Sequence, residues 1–553
     1  MTIKLMRSAW NQQLLMNNSI KWPLACMALL LMGACSGNHA DTAQPIPADI
    51  VQILDKPLYR NAVWNMQVVD LDTGELIYDK NPGQPFLIGS VRKLFSVGVL
   101  LDALGSDHTF RTPVHRRGVV DAAGELKGDL ILIASGDLAM GGRTNADGSF
   151  AITDLDHGDS NALGSATITA PDPLAGYDAL ARQVAASGVR RVSGEVIIDD
   201  RLFTPFNFRD EFDVRPIFVN DDVVDVIMRP TRVNTLADTD WRPKSAAFTV
   251  RSTLMTTAVG TGAAPDLVPE LPACIGLAGC SGDVSGTLAV DFVPAFTGQL
   301  PLVRTFRIVE PSNYARTVFI EALIRAGVSV AAPAVSANPT ASLPARNSYS
   351  STTRVAELVS HPYRDVARFI LKVSYNIGAD LSTMLYGVSR DATTFPTALA
   401  AELNQLAAAF QVPLDELHFV DGSGGGETRA TSHAVIRLLD SMSRRPVFAD
   451  FRNGLPSLGV DGSLAMVTGF AANPMLAGAR GKVHGKTGTF VMGTEAGAVL
   501  KAKAMAGYID TKSGRRLAFT LAVNDVGVMS DISDLIEVSE DQGTIAAYLW
   551  QLL

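Results

Sequence analysis

The chain has 553 residues, 47% of them hydrophobic, and a formal net charge of −9, which predicts a globular protein of several domains. Acidic and basic residues are mixed without a long run of either sign, so a nucleic-acid partner has little support. The 4 cysteines and 8 histidines do not have the spacing of metal ligands, and we expect neither a metal nor a cofactor.

Residues 1–35 have the pattern of an export signal. Basic residues precede an apolar stretch at 22–34, which is too short to span a bilayer comfortably. Small residues then precede Cys35, as in a bacterial lipoprotein processing site, where this cysteine is lipidated and anchors the protein to a membrane. An ordinary signal peptide cleaved nearby fits equally well. Both alternatives predict a periplasmic protein, with residues 36–48 as a polar tether.

Residues 49–110 are predicted to form the first part of a catalytic domain. Alternating apolar residues at 64–70 and 75–78 flank a turn that contains Gly74, and this pattern predicts a β-hairpin. Apolar residues at helical spacing then predict a helix that begins at Ser90 and ends before Gly105.

Residues 111–344 are predicted to form one or two inserted β-rich domains. Short apolar runs alternate there with loops rich in glycine, aspartate and proline, and the predicted strands are 129–134, 192–199, 248–251 and 302–308. Cys274 and Cys280 lie in this region. Because an exported protein meets an oxidising compartment, we expect them to form a disulfide.

Residues 345–553 are predicted to complete the catalytic domain. The predicted elements are a helix behind Pro362, helices at 396–410 and 432–442, strands at 482–491, 503–509 and 517–524, and a last helix at 531–553. The order of elements predicts that strands from both ends of the chain share one sheet. The expected fold is therefore α/β (α+β), with a discontinuous catalytic domain around the insertion.

Ser90 and Lys93 are one helical turn apart, so their side chains share a face of the predicted helix. A serine hydroxyl is a poor nucleophile unless a neighbouring group takes its proton. A lysine can do so when burial and nearby cations lower its pKa. The alternative is a serine that caps the helix and a solvated lysine.

The pattern Ser-x-Asn occurs three times, at 36–38, 336–338 and 374–376. Only the last follows a predicted packed helix, which would hold a turn rigidly toward a cleft. There Ser374 is predicted to pass a proton to a leaving amine, and Asn376 to bind a substrate amide and contact Lys93. The alternative is a polar helix C-terminus.

The string Lys486-Thr487-Gly488-Thr489 occurs once, on a predicted strand. Lys486 would supply a cation and Thr487 would lie beside the nucleophile, while Gly488 would leave the strand edge open to substrate. The backbone N–H groups of Thr489 and Ser90 are candidates for an oxyanion hole. The alternative is an exposed hairpin turn.

In this order the motifs resemble the D-alanyl-D-alanine carboxypeptidase/endopeptidase family of low-molecular-mass penicillin-binding proteins. Further matching strings are Gly128-Asp129-Leu130, Ser135-Gly136-Asp137, Ala379-Asp380, Asp421-Gly422-Ser423-Gly424 and Gly459-Val460-Asp461-Gly462. The resemblance implies a transpeptidase/β-lactamase-like domain bearing nested β domains. It also implies hydrolysis of D-Ala-D-Ala termini or crosslinks of peptidoglycan through an acyl-serine, and covalent capture by β-lactam antibiotics. Ile88-Gly89 departs from the Pro-Ala that the family usually has before its nucleophile.

Three other classes were weighed against this function. A serine β-lactamase shares the motifs but needs a further group that activates the deacylating water, and the long insertion argues against it. A catalytically silent cell-wall scaffolding protein is disfavoured by the intact Ser90, Lys93 and Lys486. An exported esterase lacks a Gly-x-Ser-x-Gly string. We therefore predict a periplasmic serine D,D-peptidase that acts on the stem peptides of peptidoglycan.

Overall fold

The computed structural model describes residues 43–346, 348–495 and 497–553. The predicted export signal, Cys35 and most of the predicted tether lie outside these residues. Within the described ranges, no helix is both long enough and apolar enough to cross a membrane.

The strands can be grouped by their place along the chain. The first five are β1 Val63–Asp70, β2 Leu76–Lys80, β3 Phe86–Leu87, β4 Arg111–Val120 and β5 Glu125–Ile133. The middle of the chain holds β6 Arg191–Val192, β7 Val196–Asp199, β8 Phe206–Phe208, β9 Phe212–Val214, β10 Val223–Arg229, β11 Asp238–Arg242, β12 Thr249–Ser252, β13 Met255–Thr257, β14 Ala263–Val268, β15 Ser281–Ala289 and β16 Leu302–Arg307. The remainder are β17 Ser329–Val330, β18 Arg354–Val359, β19 Leu417–His418, β20 Arg429–Ala430, β21 Val483–Thr494, β22 Gly497–Asp510 and β23 Arg516–Val528.

The helices surround these strands. They are α1 Ala48–Leu54, α2 Lys93–Leu104, α3 Ser160–Leu163, α4 Ala175–Ala186, α5 Pro311–Arg325, α6 Tyr363–Val373, α7 Asn376–Val388, α8 Phe395–Phe410, α9 Ser432–Ser443, α10 Phe448–Gly454 and α11 Ile532–Leu552. Three long helices, α4, α5 and α7, were not expected from the sequence. Helices α5 and α7 are buried on nearly every side, so they lack the polar face that makes a helical pattern readable.

A five-stranded sheet joins the two ends of the chain, as predicted. Its order is β2-β1-β23-β22-β21, and β1 pairs antiparallel with β23 from Val63↔Asn524 to Asp70↔Leu517. Helix α11 packs on one face through residues such as Val538 and Ile545, while α9 packs on the other. Strand β21, which carries Lys486 and Thr487, forms the outer edge of this sheet.

The region between the two parts is built on its own sheets. The larger has the order β17-β6-β5-β4-β18, with β7 paired to β5, and smaller sheets form around β10 and β15. Helices α4 and α5 pack together in this region, so it is not built from strands alone. Because β18 pairs with β4, this sheet includes strand residues beyond 344. Cys274 and Cys280 form the expected disulfide.

An ion pair in the core fixes the start of the helix that follows Ser90. Both side chains, Arg92 and Glu402 of α8, are 0% exposed, and the two guanidinium nitrogens donate to the two carboxylate oxygens at 2.6 and 3.0 Å. Arg92 Nε also donates to Asp421 O at 2.9 Å, and its guanidinium lies 4.1 Å from the centre of the Phe419 ring. Such bidentate pairs hold one geometry, so Arg92 ties the turn that carries Ser90 to two distant segments.

We expect Glu402→Gln to lower the free energy of unfolding by about 3–5 kcal/mol, because Arg92 would keep its charge in the core without a counter-ion. Urea unfolding followed by circular dichroism measures the change. The matched control is Asp283→Ala, which removes an ion pair with Arg251 whose side chains are 54% and 64% exposed. That exposed pair is worth less than about 1 kcal/mol. A Glu402 variant as stable as the control would contradict this account.

Candidate active site

The three sequence motifs meet around the ammonium group of Lys93. Its Nζ lies 2.6 Å from Ser90 Oγ, 2.7 Å from Asn376 Oδ1 and 3.2 Å from Ser374 Oγ. A fourth contact, at 3.1 Å, is the backbone oxygen of Ser423. These partners are far apart in sequence, so one buried nitrogen joins α2, the α6–α7 turn and the loop after β19.

Two effects lower the pKa of Lys93. Burial removes the water that would stabilise its charge, and next in size is repulsion from Arg209; together they bring the pKa to about 7. Arg209 lies in the turn between β8 and β9 and donates from Nη2 to Ser423 Oγ at 3.0 Å. No motif pointed to Arg209, because it belongs to the inserted region and reaches the site only in the folded chain.

Ser374 lies between two lysines. Lys486 Nζ donates to Ser374 Oγ at 2.9 Å and to its neighbour's oxygen, Thr487 O, at 2.8 Å. Burial, followed by repulsion from Lys93 and Lys503, holds the pKa of Lys486 well below its usual value. The hydroxyl of Ser374 therefore connects the lysine beside Ser90 with the lysine of β21.

Two glycines let the nucleophile's turn touch the edge strand. A Cβ on Gly488 would lie 2.1 Å from Ile88 O, and a Cβ on Gly89 would lie 2.9 Å from Thr489 N. Gly89 also has φ +47°, a conformation that costs other residues free energy. The unusual Ile88-Gly89 thus fits a close backbone approach that brings Ser90 to β21.

Residues of the inserted region contact the Ser-x-Asn turn at 374–376. Ser374 ends α6 in a left-handed conformation with φ 63°. The buried Tyr375 hydroxyl donates to Asp221 O at 2.8 Å, and its ring packs against Phe369 with centroids 5.4 Å apart. Arg143 lies over the same Phe369 ring at 3.9 Å. The middle residue of the motif is therefore an anchor that orients its two polar neighbours.

Beneath Tyr375, buried charges pair with one another. Arg143 donates to Asp156 at 2.8 Å and to Asp221, while His157 Nδ1 lies 2.7 Å from Asp225. Burial alone would lower the pKa of His157, but the carboxylates of Asp225 and Asp156 raise it to about 10. Arg242 also pairs with Asp225 at 3.0 Å, so these three carboxylates face three cations, and the cluster supports Tyr375.

The loop at 421–425 places the backbone oxygen that contacts Lys93. The Asp421 carboxylate accepts hydrogen bonds from Gly424 N at 2.6 Å and Gly425 N at 2.8 Å. Asp380 accepts from Gly422 N at 2.8 Å, and burial and repulsion from Asp421 raise the pKa of Asp380 to about 7. The strings around 380 and 421, which matched the family without an assigned role, thus hold the carbonyl of Ser423.

The two threonines of the Lys-Thr-Gly-Thr string each contact one polar side chain. Thr487 Oγ1 lies 2.7 Å from Ser463 Oγ, a residue that no motif indicated. The exposed Thr489 accepts from Lys503 Nζ at 3.0 Å. All eight residues predicted from the sequence therefore lie together, along α2, the α6–α7 turn and β21.

Comparisons with known proteins match this arrangement. The profile of the D-Ala-D-Ala carboxypeptidase 3 (S13) family matches residues 46–542. A D-alanyl-D-alanine carboxypeptidase of an Actinomadura strain is 26% identical over 499 residues, which cover 86% of this chain and 80% of that protein. The crystal structure of penicillin-binding protein 4 from Haemophilus influenzae has a TM-score of 0.63 at 15% identity, covering 89% of this chain and 98% of that one.

A second structure of the Haemophilus influenzae protein, in complex with a β-lactam, has a TM-score of 0.62 at 16% identity and covers 91% of this chain and 99% of that one. These structures share the fold of the chain, including its inserted domains. The family profile covers nearly all of the described residues, from before α1 into α11. The chain belongs to the D-Ala-D-Ala carboxypeptidase 3 (S13) family of serine D,D-peptidases.

Proposed function

We propose that this D,D-peptidase uses Ser90 to hydrolyse D-Ala-D-Ala termini, D-Ala crosslinks, or both, in peptidoglycan stem peptides. The observation that carries the proposal is the contact of 2.6 Å between Ser90 Oγ and Lys93 Nζ. Because the pKa of Lys93 is about 7, a large fraction of this lysine is neutral at physiological pH and accepts a proton.

The partners of Lys93 determine where its lone pair points. A neutral lysine has two N–H groups and one lone pair, whereas Asn376 Oδ1 and Ser423 O only accept hydrogen bonds. When these two oxygens take the two N–H groups, the lone pair is left for a serine hydroxyl, and Ser90 is the nearer one. The same two oxygens stabilise the ammonium that forms when Ser90 loses its proton.

The acylation step follows from this geometry. Ser90 Oγ attacks the carbonyl carbon of the scissile D-Ala bond, and its proton goes to Lys93. The N–H groups of Ser90 and Thr489 are the proposed donors to the oxyanion. Ser374 gives its proton to the leaving nitrogen and takes one from Lys93, which lies 3.2 Å away. The bond to the leaving D-Ala breaks, and water later hydrolyses the ester and restores Ser90.

The leaving residue carries a carboxylate, and Lys486 and Thr487 are proposed to bind it. The pKa of Lys486 lies well below its usual value in the empty site because burial and two nearby lysines disfavour its charge. A carboxylate would supply the missing counter-charge and favour the ammonium form. Gly488 is proposed to contribute indirectly, because its missing side chain lets the turn that carries Ser90 lie against β21.

β-Lactams are proposed to acylate Ser90 in the same way, which is supported by the β-lactam complex of the Haemophilus influenzae protein. We also propose that the chain works in the periplasm, where peptidoglycan is found. The division into residues 49–110 and 345–553 around an insertion at 111–344 likewise remains a proposal about its domains.

Purified muropeptides should lose D-Ala, or have crosslinks cleaved, on incubation with the wild type, and Ser90→Ala should abolish this activity. Ser374→Ala should lower the rate by about 10²–10⁴-fold, because it removes the proposed proton relay. Products are identified by mass spectrometry. The matched control is Ser336→Ala, which changes the same residue type in another Ser-x-Asn string and should keep full activity.

Absence of D-Ala release and of crosslink cleavage by the wild type would exclude the proposed function. The same preparations separate a peptidase from a β-lactamase. We expect nitrocefin to label the wild type in a slow, stoichiometric reaction, whereas rapid steady-state turnover would identify a β-lactamase.

The rate of labelling by a fluorescent penicillin should rise as the pH increases through about 7, because only neutral Lys93 accepts the proton of Ser90. Arg209→Gln should move this midpoint to higher pH, since the Arg209 charge helps to lower the pKa of Lys93. Stopped-flow labelling at a series of pH values measures both profiles. Arg251→Gln, a change at an exposed arginine, should leave the profile unchanged. A profile that is flat around pH 7 would rule out Lys93 as the base.

Lipid attachment at Cys35 is proposed as one of two processing routes and can be tested in cells. Labelled palmitate should enter the wild type and be absent from Cys35→Ala, because a lipoprotein is acylated at this cysteine. A Cys274→Ala variant is the control and should be labelled like the wild type. Equal, absent labelling in all three would instead identify ordinary signal-peptide cleavage.

A further inference from the structure

A third lysine, Lys503, lies in the catalytic sheet and has no part in the mechanism above. The register of β21 and β22 places Lys503 directly opposite Thr489. Lys503 Nζ donates to Thr489 Oγ1 at 3.0 Å. Lys503 is 8% exposed, whereas Thr489 is exposed at the edge strand. The threonine hydroxyl therefore separates a buried cation from solvent.

The charge of Lys503 has no counter-ion within the part of the chain that the structure describes. No carboxylate there lies within 4.0 Å of Nζ, and Thr489 Oγ1 is the one recorded acceptor for its three N–H groups. Burial lowers its pKa to about 8, so the ammonium is the main form at neutral pH. A buried cation with so few partners destabilises the fold, and a methionine of similar volume would fill the space without that cost.

The hydrogen bond from Lys503 also restricts the hydroxyl of Thr489. An ammonium can only donate, so Thr489 Oγ1 is the acceptor and its own hydrogen must point elsewhere. Thr489 is exposed on the edge strand and its backbone lies beside the turn of Gly89 and Ser90, so this hydrogen is available to a ligand that binds next to that turn. A hydroxyl polarised in this way is a strong donor to an anion.

Lys486 lies close to this arrangement. Burial, followed by repulsion from Lys93 and then Lys503, keeps the pKa of Lys486 low. Both groups are buried, and neither is paired with a carboxylate among the described residues.

We propose that Lys503 is a positioning residue that holds the Thr489 hydroxyl as a hydrogen-bond donor to the substrate's terminal carboxylate. The subsite for the leaving residue then involves two lysines: Lys486, which contacts Ser374, and Lys503, which contacts Thr489. This inference rests on the proposed hydrolysis at Ser90. It makes a free carboxylate on the leaving residue the feature that the enzyme recognises, whether that residue is a terminal D-Ala or part of a crosslink.

The test compares Lys503→Met, Thr489→Val and the double variant on a peptide ending in D-Ala-D-Ala. We expect Lys503→Met to raise KM by about 10-fold with little change in kcat, the loss typical of a hydrogen bond to a charged group. Because Lys503 acts through Thr489, the double variant should be no worse than Thr489→Val alone. Met505→Leu, on the same strand, should keep the wild-type KM and kcat.

Two further measurements separate positioning from folding. Lys503→Met should unfold at the same temperature as the wild type or higher, because it removes an unpaired buried charge. Lys503→Gln keeps an N–H donor for Thr489 without the charge, so its KM should lie between those of the wild type and Lys503→Met. A simple structural role would instead lower the unfolding temperature and reduce kcat.

These experiments distinguish a failure of the role proposed for Lys503 from a failure of the proposed hydrolysis. A wild type that releases no D-Ala would overturn the hydrolysis itself. An active wild type whose KM is unchanged in Lys503→Met would overturn only the role of Lys503. The same conclusion would follow if the effects of Lys503→Met and Thr489→Val multiplied in the double variant, since they would then be independent.

Discussion

The site depends on one buried amine, Lys93, which contacts four oxygens from three separate segments. A charged lysine donates three N–H groups to these oxygens, whereas a neutral one donates two and leaves its lone pair to Ser90. Burial and the Arg209 charge bring its pKa to about 7, which lets the group change between these two states. The surrounding structure therefore excludes water from Lys93 and holds its hydrogen-bond partners in place.

The inserted region contributes directly to that arrangement. It supplies Arg209, whose charge acts on Lys93, and Asp221, whose backbone oxygen accepts the hydrogen bond of Tyr375. Arg143 forms buried ion pairs with Asp156 and Asp221, and these pairs help to fix the position of Asp221. The catalytic motifs lie on the part of the chain outside the insertion, yet the geometry and the pKa values of the site depend on both parts.

Helices and strands could be predicted where one face is buried and the other exposed, because apolar residues then recur at a regular spacing in the sequence. Strands β1 and β21 and the long helix α11 lie near their predicted limits, whereas β22 begins six residues before the predicted strand and β23 ends four residues after it. Helices α5 and α7 are buried on nearly all sides and give no such pattern. The inserted region is predicted to be rich in strands because its short apolar runs resemble strands.

The sequence by itself indicated the serine D,D-peptidase function, since the proposed nucleophile with its lysine, the proposed relay and the cationic strand each appear as a short string. Short strings suffice because neighbouring residues on one helix turn or strand keep a constant spacing. Only the tertiary structure decided what surrounds them. Arg92 and Arg209 reach Glu402 and Ser423 across 310 and 214 residues, while Ser463 and Lys503 contact Thr487 and Thr489 of β21. Contacts of that kind depend on strand register and packing, which no local pattern records.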